Sequence, residues 1–151
     1  MKAKHWMWIF ALLSMLTVAF IWGNSLKSIP ESASQSSRLA ELIRPILDPQ
    51  EKLTSDAFHN LVRKLAHLTE FFALGVFVCG FTLSLGAELK KRMICLPVLI
   101  VLLVAVGDEY IQYFTRRGSL VTDVVLDFIG ALGGLLAAVL IYKIILKIKK
   151  K

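Results

Sequence analysis

Hydrophobic positions along this chain gather into four long runs separated by short polar stretches. The runs occupy residues 6–22, 65–85, 93–114 and 120–142, each 17 to 23 residues long. Helices of that length cross the hydrocarbon of a bilayer. Alternation at every second position, the mark of half-buried strands, is not the pattern here. The expectation is an all-α polytopic membrane protein, a single domain over residues 1–151. It has four transmembrane helices in a compact bundle and an extracytoplasmic loop between the first and second. Pro97 falls in the first turn of the third helix, where proline is tolerated.

The intervening loop, residues 24–60, begins polar and serine-rich. Leu39, Leu42, Ile43, Ile46 and Leu47 then recur at helical spacing and predict a short amphipathic helix. Pro45 limits its regularity. Such a helix either lies on the outer membrane surface or caps the bundle. Thr54 to Asp56 can start a second helix, and Phe58, Leu61 and Leu65 suggest a stripe on it, so span two begins before the membrane. A cleavable leader would place a cut near ESAS, residues 31–34. The length of the first apolar run and its tryptophans favour a retained span.

Composition narrows the class. The chain is 56% hydrophobic and 19% charged, too apolar for a soluble domain. Its net charge of +7 would suggest nucleic acid in a soluble protein. Here the basic residues flank apolar runs, so the expected partner is membrane lipid and not nucleic acid. Zinc-ligand spacing, a P-loop and a GxSxG element are missing from the sequence. Cys79 and Cys95 lie in or beside apolar segments and read as packing residues.

Charges within the spans carry the chemical information. Glu70, Glu109 and Asp127 sit at a common depth, roughly 8–10 Å from one boundary at 1.5 Å per residue. They also share faces with other polar groups. Arg63, His67 and Glu70 are spaced by four and three; so, in reverse order, are Glu109, Gln112 and Arg116. Asp123 and Asp127 continue into Gly130, Gly134 and Ala137, a stripe that joins carboxylates to a close-packing GxxxG. An uncompensated carboxylate at mid-span costs about 2.5–3.5 kcal/mol on insertion scales. The expectation is that Arg63, Lys64, Arg116 and Arg117 pair with Glu70, Asp108, Glu109, Asp123 and Asp127, or that all line a polar pocket. A structural salt-bridge network is the competing reading, although apolar packing stabilises with less risk. His67 one turn from Glu70 suits either an acid–base pair or a divalent metal site.

These residues resemble the VanZ-like family of small bacterial membrane proteins. The resemblance rests on RK-x-AH-x-x-EF (Arg63, Lys64, Ala66, His67, Glu70, Phe71) and on DE-x-x-Q followed by R (Asp108, Glu109, Gln112, Arg116). It continues in D-x-x-x-D-x-x-G-x-x-x-G (Asp123, Asp127, Gly130, Gly134) and in Asn24-Ser25 after span one. Family members often carry Tyr in place of Phe71 and Asn in place of Asp127, so hydrogen bonding is expected to differ there. The resemblance implies four transmembrane helices in a bacterial plasma membrane and, through the founding member, low-level resistance to teicoplanin.

Three functions fit. In the first, an outer pocket binds a headgroup, a lipid-linked glycan or a lipoglycopeptide. Arg63, Lys64, Arg116 and Arg117 would hold phosphate or carboxylate, and the acidic residues would accept hydroxyls. In the second, an intramembrane enzyme acts on an envelope lipid or precursor, with His67 as base, Glu70 as its partner and acidic residues as possible metal ligands. A small transporter is third, because four spans are few and the charges cluster at one side.

Orientation follows from the basic clusters. Lys2 and Lys4 precede span one, Lys90, Lys91 and Arg92 separate spans two and three, and Lys143, Lys147, Lys149, Lys150 and Lys151 follow or close span four. All three fall on one side of a four-span bundle, which places both termini in the cytoplasm. Reporter fusions after Lys151 and in the Lys90 loop should therefore read cytoplasmic, and one near Gln50 extracytoplasmic. An extracytoplasmic signal from the C-terminal fusion would overturn this orientation.

Overall fold

A computed structural model describes residues 2–27, 29–116 and 120–149, and all of the regular structure within them is helical. The helices are α1 (Lys2–Ser25), α2 (Ile29–Leu47), α3 (Ser55–Leu89), α4 (Cys95–Phe114) and α5 (Val121–Ile148). Four of them, α1, α3, α4 and α5, are long and apolar enough to cross a membrane. α1 and α3 contain the first two expected spans and run past both ends, because the flanking residues keep the helix going into the polar zone. α4 starts two residues later than expected, at Cys95, and α5 one later, at Val121, but α5 runs on to Ile148.

The core is built around α3, which packs most extensively against α5 and next against α1. Ile21, Phe71, Leu74, Val78, Val101, Ala105 and Ala131 are buried in it. Cys79 joins this core, whereas Cys95 is exposed at the start of α4, so only the first is a packing residue. Large apolar side chains elsewhere point outward: Met15 is 71% exposed and Leu136 61%. In water that surface would be costly, and in hydrocarbon it is the solvated one.

Helices α3 and α5 meet backbone to backbone. A Cβ on Gly134 would strike the carbonyl of Phe72, one on Gly75 the carbonyl of Ala131, and one on Gly130 would lie 2.6 Å from the Leu68 oxygen. The GxxxG stripe of α5 is thus a true crossing point, with a third glycine answering from α3. Helix α1 is tied to α4 by Trp22, whose indole Nε1 donates to the Val104 carbonyl at 3.4 Å.

Helix α2 begins at Ile29, inside the serine-rich stretch expected to be loop. Glu, Ala and Gln there favour helix enough to extend it, and Pro30 stands in the first turn. It passes through Pro45 and ends two residues later at Leu47. Ala40 and, less fully buried, Ile43 pack against Phe58 and Val62 of α3. The expected stripe on that part of α3 is corrected: Leu61 and Leu65 are each 38% exposed, and the buried face continues from Phe58 to Val62. An i to i+4 step holds the same face when one helix lies alongside another.

The α2–α3 turn is clipped at both ends. Thr54 is the N-cap of α3, its hydroxyl accepting from the Ala57 N–H at 3.3 Å. Arg44 donates to the Leu53 carbonyl at 2.8 Å and stacks 5.3 Å above the Phe58 ring. The Asp48 carboxylate accepts from the backbone N–H groups of Lys52 (2.9 Å) and Leu53 (3.0 Å). The Leu53 N–H above all, with help from that of Lys52 and from the Arg44 charge, holds Asp48 below its ordinary pKa.

Two outcomes check this description. Gly134→Ala should force α3 and α5 apart and destabilise by roughly 1–3 kcal/mol. Gly23→Ala, with nothing within 4 Å of the new methyl, should be neutral or stabilising by up to about 1 kcal/mol. Thermal unfolding in detergent compares them, and equal effects would refute the tight crossing. Asp48, with its folded pKa lowered, adds stability above the unfolded value near ~4 and loses it as pH falls through the folded value. The melting-temperature gap between the wild type and Asp48→Asn should therefore narrow from pH 7 to pH 3.

Candidate functional site

The polar cluster lies where α1 ends and α5 begins, at the α2 side of the bundle. Its centre is made by three helices. His67 comes from α3, Asp108 from α4 and Asp127 from α5. Nδ1 of His67 is 3.8 Å from Asp108 Oδ2 and 3.9 Å from Asp127 Oδ1. Asp108 is 0% and Asp127 1% exposed. The α5 carboxylate is carried inward by the same stripe that holds Gly130 and Gly134 against α3, so close packing and charge placement share one cause.

Asp108 is the most fully held of these groups. The Ser25 hydroxyl donates to its Oδ1 at 2.6 Å, and Gln112 Nε2 donates to its Oδ2 at 2.7 Å. Both bonds run to an ionisable oxygen and are short, the geometry of strong hydrogen bonds. The Ser25 carbonyl accepts in turn from the Thr115 hydroxyl at 3.2 Å, which ties the end of α1 to the end of α4. Asp127 differs. Both of its oxygens are buried and lack a hydrogen-bond partner among the described residues, as does Oδ1 of Asp123.

Two further acids belong to the periphery of the cluster. Glu70 accepts from Asn24 Nδ2 at 3.3 Å, and Asn24 Oδ1 accepts from Lys27 Nζ at 2.8 Å. A cation thus reaches Glu70 through an amide relay. Glu109, 5% exposed, accepts the N–H of Leu120 at 3.1 Å. Leu120 is the N-cap of α5, so this carboxylate anchors the start of that helix, where negative charge is favoured.

The expected arginine pairs take a different form. Among the described residues no ion pair joins Arg63, Lys64 or Arg116 to these carboxylates. Nδ1 of His67 faces Asp108 and Asp127 at ion-pair distance, a bridge only when the imidazole is protonated. Arg63 lies one turn nearer the helix start than His67 and is half-buried, while Lys64 is exposed. Arg116 is exposed just past α4, in a left-handed turn with φ 57°. These side chains lie toward the helix ends, away from the centre of the cluster. Arg117 lies outside the described residues.

Asn24, Ser25 and Lys27 are functional neighbours that helical periodicity did not single out. Asn24 and Ser25 were visible only as a dipeptide shared with relatives, and nothing local marks Lys27. All three follow an apolar run, where polar residues are ordinary; the meeting of α1 with α3 and α4 gives Asn24 and Ser25 their partners, and Lys27 joins through Asn24.

The family model described as VanZ/LLP1 matches residues 8–145. Comparison with curated proteins and with solved structures finds no match. The matched region takes in α3 and α4 whole, most of α1 and α5, and every described member of the cluster. The chain is a multi-pass membrane protein and belongs to the VanZ/LLP1 family.

Proposed function

We propose that this is a cell-envelope protein of the bacterial plasma membrane, with both termini cytoplasmic and the polar cluster facing outward. There it binds the headgroup of a lipid or of a lipid-linked envelope component. Through that binding it contributes to low-level resistance to glycopeptides such as teicoplanin. Membership of a family linked to such resistance supports the last step.

The observation that carries the reading is the zoning of charge. His67, Asp108 and Asp127 form the centre of the cluster, Glu70, Glu109 and Asp123 surround them, and Arg63, Lys64 and Arg116 lie beyond these acids toward the helix ends. A salt-bridge staple would put opposite charges in contact. A rim of cations over an acceptor-rich floor instead suits a phosphorylated, hydroxyl-bearing headgroup. Arginine grips the phosphate by two parallel bonds, and carboxylates accept from the hydroxyls. Several buried carboxylates are costly in a bilayer, and intramembrane ionisable groups mark sites more often than staples.

A second reading, an intramembrane enzyme acting on an envelope lipid, draws on His67. A histidine within 4 Å of two carboxylates has partners able to orient it as a base. Those partners are Asp108 and Asp127, while Glu70 is engaged by Asn24. Turnover of a labelled envelope lipid by the purified protein would select this reading over simple binding.

The binding test uses the full chain in nanodiscs with three probes: phosphatidylglycerol, a polyprenyl-diphosphate sugar and teicoplanin. Arg116→Lys keeps the charge and loses the planar fork. It should weaken the preferred probe about tenfold, near 1.4 kcal/mol, with an unchanged melting temperature. Glu88→Gln, an exposed residue at the opposite end, should change neither. If wild type and Arg116→Lys bind all three probes equally, or if binding follows stability across the variants, the headgroup reading fails.

A further inference from the structure

We propose that His67, Asp108 and Asp127 form a binding site for one divalent transition-metal ion, Zn2+ or Mn2+, at the centre of the polar cluster. Each of α3, α4 and α5 contributes one donor, and the three donor atoms lie within 4.8 Å of one another. The distances from His67 Nδ1, 3.8 and 3.9 Å, are too long for hydrogen bonds. They are also too short for a water molecule to stand in line between the two atoms, which needs roughly 5.5 Å. An ion with bonds of about 2.1 Å holds its ligand atoms roughly 3.0–3.4 Å apart. Side-chain shifts of up to about 1 Å close the site around such an ion.

Asp127 is the independent observation. It is 1% exposed, and neither of its oxygens has a hydrogen-bond partner among the described residues. One of those oxygens is aimed at His67. A buried carboxylate without donors lacks what normally compensates its desolvation. The rim arginines do not reach it, and Ser25 and Gln112 are committed to Asp108. A divalent ion supplies the missing partner and balances charge as well. Two carboxylates and a neutral imidazole around a +2 ion sum to zero, the form best tolerated within a bilayer.

Asp108 has the support that metal ligands require. Hydrogen bonds from Ser25 and Gln112 fix the plane of its carboxylate, and Oδ2 keeps a second lone pair for the ion. The donor set selects the class of metal. Imidazole suits zinc, the two carboxylates also suit manganese, and magnesium or calcium favours oxygen donors alone. Three protein donors leave at least one coordination position for an outside oxygen. That this oxygen belongs to a headgroup phosphate rests on the reading above, whereas the ion does not.

The test uses the full chain in phosphatidylglycerol nanodiscs, stripped with EDTA and then loaded with ZnCl2, MnCl2 or MgCl2. Metal content after gel filtration and the melting temperature are read together. The expected result is about one equivalent of zinc or manganese per chain, with a rise in melting temperature that EDTA reverses and magnesium does not reproduce. Asp127→Asn and His67→Gln should each lower the bound metal at least tenfold, while His59→Gln and Glu88→Gln retain it. Asp127→Asn removes a charge without changing shape, and a misfolded His67→Gln would still leave it and the wild-type titration to decide. Less than a tenth of an equivalent in the wild type, equal loading by magnesium, or undiminished metal in Asp127→Asn overturns the site. Headgroup binding by metal-free protein that takes up no metal sinks this inference alone. Stoichiometric metal without binding of any headgroup probe sinks the headgroup reading and leaves the ion in place.

Discussion

Everything polar in this bundle depends on how closely α3 and α5 approach. Gly75, Gly130 and Gly134 let the two backbones touch, with Leu68, Phe72 and Ala131 supplying the opposing carbonyls. His67 lies one residue before Leu68, and Asp127 lies three before Gly130. The crossing therefore sets the separation of those two side chains directly. A helix pair held apart by ordinary side chains would have axes 8–10 Å apart. The imidazole and the carboxylate would then point across a wider gap. Packing that stabilises the protein and geometry that gives it chemistry come from the same few residues.

Around that crossing the polar groups differ in how firmly they are held. Asp108 is bound by hydrogen bonds from α1 and from its own helix, and Glu109 is bound by the first N–H of α5. Glu70 is linked to Lys27 through an amide. These are satisfied groups that hold the ends of four helices together. Asp127 stands apart from them as a carboxylate as buried as Asp108 but given no hydrogen-bond donor among the described residues. A bundle that stabilised itself alone would gain from an asparagine or a leucine there.

Much of this was legible in the sequence, for a definable reason. The four spans are long and apolar, so hydrophobic length alone locates them. The α5 stripe of Asp127, Gly130 and Gly134 was readable because helical periodicity is strict over so short a distance. Partner choice was not readable. Arg63 shares a face with His67 and Glu70, yet its level on the helix puts it at the rim. Periodicity gives the angle around an axis but not which group a long side chain reaches. Asn24 and Ser25 escaped the periodicity for the complementary reason: their partners, Glu70 and Asp108, lie on other helices, more than forty residues away in sequence. The start of α2 was missed because serine-rich composition suggests loop, although helix formers lie among the serines.

Helix α3 is 35 residues long, about 52 Å at standard rise, and exceeds the ~30 Å of hydrocarbon it crosses. The excess is not idle length. Its first two turns are gripped by α2 through Phe58 and Val62 and by the Arg44 and Asp48 clip. Val62 is only five residues from His67 on one unbroken helix. The rod is therefore a lever with its fulcrum at the glycine crossing and its handle outside the hydrocarbon. Whatever displaces α2 bears, without an intervening joint, on the histidine between the two aspartates.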